Sequence, residues 1–376
     1  TGNVWKLRFT PNETGNWSYT YSWTDGTLGG SGTFNVVEGS LSGPLQIASD
    51  KTWYFKTARG NAFDARGYSL HQYLEGKYGR SVFTQVAIDD LKDKINTKVA
   101  DRGYNLLMVL WPMQTDSAGN HWWLHTGSVR DFSRFDIRVW KRIEQVLETA
   151  KNRNVHVFPF AGLVDQESAR PNDTELGKFL RYYAARLGVY PNHFGHSVTW
   201  EYQDIMGHSD ATNIMTPLQN YLNNLPTPPL LSVHDHSNNS FTGWLDFSMR
   251  QLQSRSVFDG NIHGGGIQGG VGSAFTEMPI IGSEDIWEYQ SGDFGQPRNG
   301  TEVRRGAWGV MMAGVMPIYN ETGLSDSGAP AGGRSNFSGQ GQPEVRRMFD
   351  FFYSKTRYRQ YQKLNSLVSS ASRQIA

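Results

Sequence analysis

Cysteine is missing from all 376 residues. Its absence excludes disulfides, thiolate metal sites and a cysteine nucleophile together. Neither sign of charge is in excess. Lys+Arg number 36 and Asp+Glu 35, a net charge of +1, so nucleic acid is not an expected partner. No apolar run approaches about 18 residues, and no membrane span is expected. The first residues, TGNVWKLRFT, lack a basic stretch followed by an apolar one, so no signal peptide is visible. A mature secreted chain would read the same way. GxGxxG does not follow the first apolar run, which counts against a dinucleotide fold. GxSxG does not occur, which disfavours a serine hydrolase.

Aromatic residues are abundant: 12 Trp, 17 Tyr and 20 Phe, alongside 41 Gly. Rings beyond the needs of a core often line sugar clefts, where their faces stack on C–H surfaces; a large core with aromatic hairpins is the plainer use. The length exceeds one ordinary domain of about 100–200 residues and suits one large barrel plus a small domain.

Residues 1–37 read as antiparallel β. Val4–Phe9 and Trp17–Trp23 alternate, Gly29, Gly30 and Gly32 punctuate, and Thr33–Val37 follows. Three or four strands are too few for a closed sandwich, so the chain is expected to be a piece of a longer protein or to lean this sheet on its neighbour. Residues 38–48, rich in Ser, Gly and Pro, are the expected linker. Residues 49–376 alternate short apolar runs with amphipathic helices. The runs are Ala62–Arg66, Tyr104–Leu110, Val155–Phe160, Ser197–Glu201, Leu230–Val233, Leu245–Met249, Pro279–Gly282 and Val315–Tyr319. Continuous apolar runs suit buried parallel strands, and eight alternations with helices predict an α/β protein with a (β/α)8 TIM barrel.

Active sites of such barrels lie at the C-terminal ends of the strands. The polar residues just after each run are therefore the candidates. They include Arg66 and His71 after the first, Trp111 after the second, Glu201 and Asp204 around the fourth, and His234 after the fifth. Glu284, Trp287 and Glu288 follow the seventh, and Tyr319 ends the eighth. Acids after runs four and seven, each beside a Trp, suit glycoside hydrolysis, which needs one carboxyl to protonate the leaving oxygen and another to act as nucleophile or base. The plainer reading has Glu201 and Asp204 hydrogen-bonding the barrel mouth and Glu284 paired with an Arg. His234-Asp235-His236 lacks an obvious third ligand, so no metal and no cofactor is expected, and His234 fits a substrate hydrogen bond better.

Several motifs carry a family resemblance. Leu7-Arg8-Phe9-Thr10-Pro11, Thr14-Gly15-Asn16-Trp17 and Gly32-Thr33-Phe34 resemble the small β-sandwich-like domain that precedes many glycoside hydrolases. Trp200-Glu201-Tyr202-Gln203-Asp204, then Pro279 with Glu284 and Glu288, then Val303–Trp308 with Ala313-Gly314, are similar to the apiosidase-like (β/α)8 glycoside hydrolase family. Two positions depart from that pattern: Gln203 stands where the family has Gly, and Gly67-Tyr68-Ser69 replaces a Gly-Asp-Thr motif.

The resemblance implies a secreted or periplasmic enzyme that cleaves O-glycosyl bonds of a polysaccharide or oligosaccharide with retention. Glu284 would be the nucleophile and Asp204 the acid/base. Glu201, three residues before Asp204, would face the other way and orient neighbours. His234, Trp287, Trp111, His71, Arg66 and Tyr319 would contact the sugar. A non-catalytic glycan-binding barrel and a polysaccharide lyase, with Tyr202 or His234 as base, are the alternatives.

Overall fold

The computed structural model describes residues 6–23, 25–48, 54–70, 74, 78, 83–110, 121–126, 129–161, 173–197, 216–225, 228–232, 234–235, 245–250, 278–288, 300–312, 314–321 and 341–355. The first element is a hairpin of β1 (Gly15–Ser22) and β2 (Gly29–Val36), in antiparallel register with Trp17 opposite Phe34. Residues 6–14, expected to include a strand, are irregular, so the described part of this small sheet has two strands. Tyr19 faces Gly32 and Tyr21 faces Gly30 across the pair. A Cβ on either glycine would strike a tyrosine, the Tyr19 hydroxyl at 2.5 Å for Gly32 and the Tyr21 ring at 2.8 Å for Gly30.

A second small sheet follows, of β3 (Leu45–Ile47), β4 (Phe55–Thr57) and β5 (Ala62–Phe63), all antiparallel. Two expectations change here. Leu45–Ile47 falls in the segment read as linker, yet Leu45 is fully buried in the main core. Ala62-Phe63, read as the first barrel strand, pairs antiparallel with β4 instead. The first parallel strand is β6 (Gly67–Ser69), a Gly-Tyr-Ser run too short and mixed to show as an apolar strand.

From β6 the parallel pairings run in a ring. β6 pairs β7 (Leu106–Leu110), and β7 pairs β10 (His156–Ala161). Val157 of β10 bridges His193, on the approach to β11 (Gly195–Ser197). β11 pairs β12 (Leu230–Ser232), which is separated by one residue from β13 (His234–Asp235). β13 pairs β14 (Ser248–Arg250), β14 pairs β15 (Ile280–Glu288), and β15 pairs β16 (Met316–Glu321). β16 returns to β6. That last contact is close: a Cβ at Gly67 would lie 2.6 Å from Ile318 Cγ1, so glycine lets the ring shut. A two-stranded ribbon, β8 (Trp123–Thr126) with β9 (Val129–Phe135), lies between β7 and β10 in the chain.

Helices flank the strands. Described ones include α1 (Gln85–Lys94), α2 (Ile137–Asn152), α3 (Asp173–Arg186), α4 (Gly300–Met312) and α5 (Gly341–Asp350). α2 shows the local logic. Val139, Trp140, Ile143, Val146, Leu147 and Ala150 recur three and four apart and are all buried. Asp136 caps it, accepting from Arg138 N at 3.0 Å. The core has two shells. Phe55, Phe158, Phe194, Phe247, Met249 and Ile318 fill the ring interior, with Phe55 of β4 plugging it at 4.9 Å from Phe194. Tyr68, Leu107, Val157, Leu231 and Tyr319 face the helices instead.

Candidate active site

Along a strand, side chains two apart share a face. On β12 and β13 the interior face reads Leu230, Ser232, His234; on β15 it reads Ile281, Ser283; on β16 it reads Ile318, Asn320. Each series turns from apolar to polar toward the C-terminal end. Ser232, His234, Ser283 and Asn320 are all fully buried, so this polar layer lies inside the ring, above the apolar fill. Ser232 Oγ donates to Phe247 O at 2.8 Å. One end of the ring is thus an apolar floor plugged by β3–β5, and the other is lined by hydrogen-bonding groups.

β15 is irregular at that polar end. Gly282 pairs Pro317 and Ile286 pairs Tyr319. Ser283, Glu284 and Asp285 therefore stand opposite Ile318 alone, a bulge of two extra residues. Bulges re-aim side chains and are common beside active sites. Asn320 Nδ2 donates to Ser283 O and to Ile318 O, each at 3.0 Å.

The sequence-derived candidates distribute as follows. Asp204, Glu201, Trp111 and His71 lie outside the described residues. The backbone of Glu284 and Trp287 lies in β15, at and just after the bulge. His234 opens β13, fully buried within the polar layer. Arg66 is elsewhere. It precedes β6, on the floor side, where its Nη2 is 3.4 Å from Asp350 Oδ1 and its guanidinium stands 5.7 Å from the Tyr353 ring centroid. Tyr319 is fully buried against Tyr68 (5.3 Å) and Tyr104 (6.5 Å) in the helix-facing shell. The alternation carries its neighbour Asn320 inward in its place. Period-two reading from Ile318 could have separated the two; the expectation took the aromatic and passed over the amide.

Among the described residues, the titratable groups perturbed by burial in the ring lie toward the floor or in the helix-facing shell. His156, at the start of β10, packs 4.8 Å from Phe63, and burial pushes its imidazole down to about 3. His193 is also pushed down to about 3 by burial, with Nε2 3.1 Å from Tyr183 Oη. His196 is held well below the ordinary range by burial and by His193 beside it. Burial raises the Asp246 carboxyl, against the pull of a 2.8 Å bond from Leu231 N. Asp246 precedes β14, so it too belongs to the floor side.

The fold has solved counterparts. A Bacteroides vulgatus ATCC 8482 protein assigned to the glycoside hydrolases is similar with a TM-score of 0.65 and 16% identity, over 91% of this chain and 68% of that one. A glycoside hydrolase family 5 protein from the same strain gives 0.55 and 18%, over 74% of this chain and 62% of that one. A family 5 mannosidase from Rhizomucor miehei gives 0.53 and 11%, over 83% and 98%.

The fold is TIM-like α/β.

This chain thus spans about two thirds of each Bacteroides protein. No protein-family model matches the chain, and no curated protein matches it in sequence. In TIM-barrel enzymes the active site lies at the C-terminal strand ends. In this chain those ends form the polar end, where His234, Ser283, Asn320 and the β15 bulge lie. Among the described residues no helix is long and apolar enough to cross a membrane.

Proposed function

We propose that this chain is a retaining glycoside hydrolase of the apiosidase-like kind, a complete (β/α)8 barrel with residues 1–37 as a small β domain, acting outside the cytoplasm. One observation carries the reading: the ring's inner face turns polar at its C-terminal end, and Glu284 stands there on a strand bulge. That the similar solved structures are glycoside hydrolases supports a carbohydrate substrate.

In this reading Glu284 is the ionised nucleophile and Asp204 the protonated acid. Glu284 forms a bond to the anomeric carbon while the glycosidic C–O bond breaks. Asp204 gives its proton to the leaving oxygen. Water, losing a proton to Asp204, then displaces Glu284 at the same carbon, and two inversions give retention. The two carboxyls should lie about 5–6 Å apart. Glu201 orients neighbouring groups, and His234, Trp287, Trp111 and His71 contact the sugar. Arg66 and Tyr319 have no part, because each is committed to packing elsewhere.

The test is a panel of plant and marine polysaccharides and aryl glycosides, with the first product's anomeric configuration read by NMR. Cleavage with a retained anomer, lost in Glu284→Gln, is expected. An inverted product overturns retention, an ultraviolet-absorbing unsaturated product points to a lyase, and undiminished turnover in folded Glu284→Gln removes the nucleophile assignment.

A further inference from the structure

Asn320 stands where the seventh and eighth strands of the ring lose register. Its side-chain Nδ2 holds the Ser283 carbonyl, the last group of β15 before Glu284. Its backbone is paired with Trp287, beyond the bulge. One residue of β16 thus grips β15 on both sides of Glu284. The amide's orientation is fixed by chemistry: two carbonyls, Ser283 O and Ile318 O, lie at one end, and turning the amide would set Oδ1 against both.

Stability does not account for an asparagine here. Asn is depleted in strands, where a β-branched residue packs better. Its burial is complete, and among the described residues Oδ1 has no hydrogen-bond partner, a desolvation cost the fold carries. The two donated bonds are what the residue contributes. One of them is spent on the neighbouring strand, at the residue that precedes Glu284 in the bulge.

We propose that Asn320 is a positioning residue for Glu284: by clamping the Ser283 carbonyl it fixes where the β15 bulge aims the next side chain. The inference rests on the reading of Glu284 as nucleophile. A misplacement of about 1 Å at a reacting group can cost on the order of 10²-fold in rate. Asn320→Ala removes the donor. Asn320→Asp keeps the shape but, when ionised, cannot donate; protonated, it regains one donor.

The test uses the full chain and the 4-nitrophenyl glycoside that wild type turns over. In both variants kcat should fall about 10–10²-fold with KM changed less than about threefold. The Asn320→Asp deficit should shrink as pH falls through the carboxyl range, and the Asn320→Ala deficit should not. Independently of any substrate, hydrogen exchange at backbone amides 284–286 should quicken in Asn320→Ala while that of β6 and β7 holds. Unchanged exchange overturns the proposal, as does equal, pH-independent loss in both variants, which marks packing alone. If Asn320→Ala does not fold, Asn320→Asp carries both readouts. Turnover that needs Glu284 but ignores Asn320 removes this inference alone; turnover that survives Glu284→Gln removes the parent reading with it.

Discussion

At the scale of single residues, burial sets how the molecule responds to acid. His156 and His193 have ordinary values near 6.5 that burial pushes down to about 3, so the folded chain keeps both neutral. The unfolded chain takes up protons below about pH 6.5. Their contribution to stability is therefore whole above about pH 6.5 and is lost progressively as pH falls toward 3. Thermal unfolding followed from pH 7 to 4 should show a falling Tm, and His156→Leu should make the slope shallower. An equally steep slope in that variant would place the acid sensitivity elsewhere. Asp204 titrates for a different purpose in the proposed chemistry. Asp204→Asn should slow a glycoside with a poor leaving group by about 10²–10⁴-fold and a dinitrophenyl glycoside far less, because only the poor leaving group needs a proton. Equal loss on both would strip Asp204 of the acid role.

At the scale of elements, the floor sheet is the part that sequence patterning hid. Phe55 is fully buried and meets Phe194 and Phe247 edge-on at 4.9 and 5.7 Å. Phe55→Ala should cost about 3–5 kcal/mol in denaturant unfolding, through lost burial and the cavity left behind. Asp136→Ala, which removes the cap of α2 and strands a part-buried Arg138 contact, should cost about 1–2 kcal/mol. The long strands were legible because β7, β10 and β16 each contain a short continuous apolar run, and α2 because its apolar residues keep helical spacing. β6 was not: Gly67-Tyr68-Ser69 carries one apolar side chain, and its neighbour Ala62-Phe63 imitates a first strand. The position of Glu284 after Gly282 was readable from β15 alone. The bulge on which it stands was not, since a bulge exists only relative to the register of β16, a pairing that local patterning does not contain.

At the scale of the whole molecule, one charged cluster ties the N-terminal segment to the helices. Glu144 of α2 accepts from Nε and Nη2 of Arg186, at 2.8 and 2.9 Å, and from Arg8 at 2.6 Å. Thr10 also hydrogen-bonds Val189 O. Arg8→Ala should change global stability by no more than about 1 kcal/mol, the usual scale for a partly exposed pair. It should nevertheless hasten proteolysis before β3, seen as loss of the hairpin from an intact barrel by mass spectrometry. The same cleavage rate in variant and wild type would deny Arg8 this tethering role. The return of β16 to β6 has a wider consequence. A ring of strands has no outermost member, so it offers no place from which to peel: removing any one strand means breaking its pairings on both sides at once. Deuterium should then enter β6, β7 and β16 together, in one slow cooperative phase, while the β1–β2 ribbon, exposed along both margins, exchanges well before them.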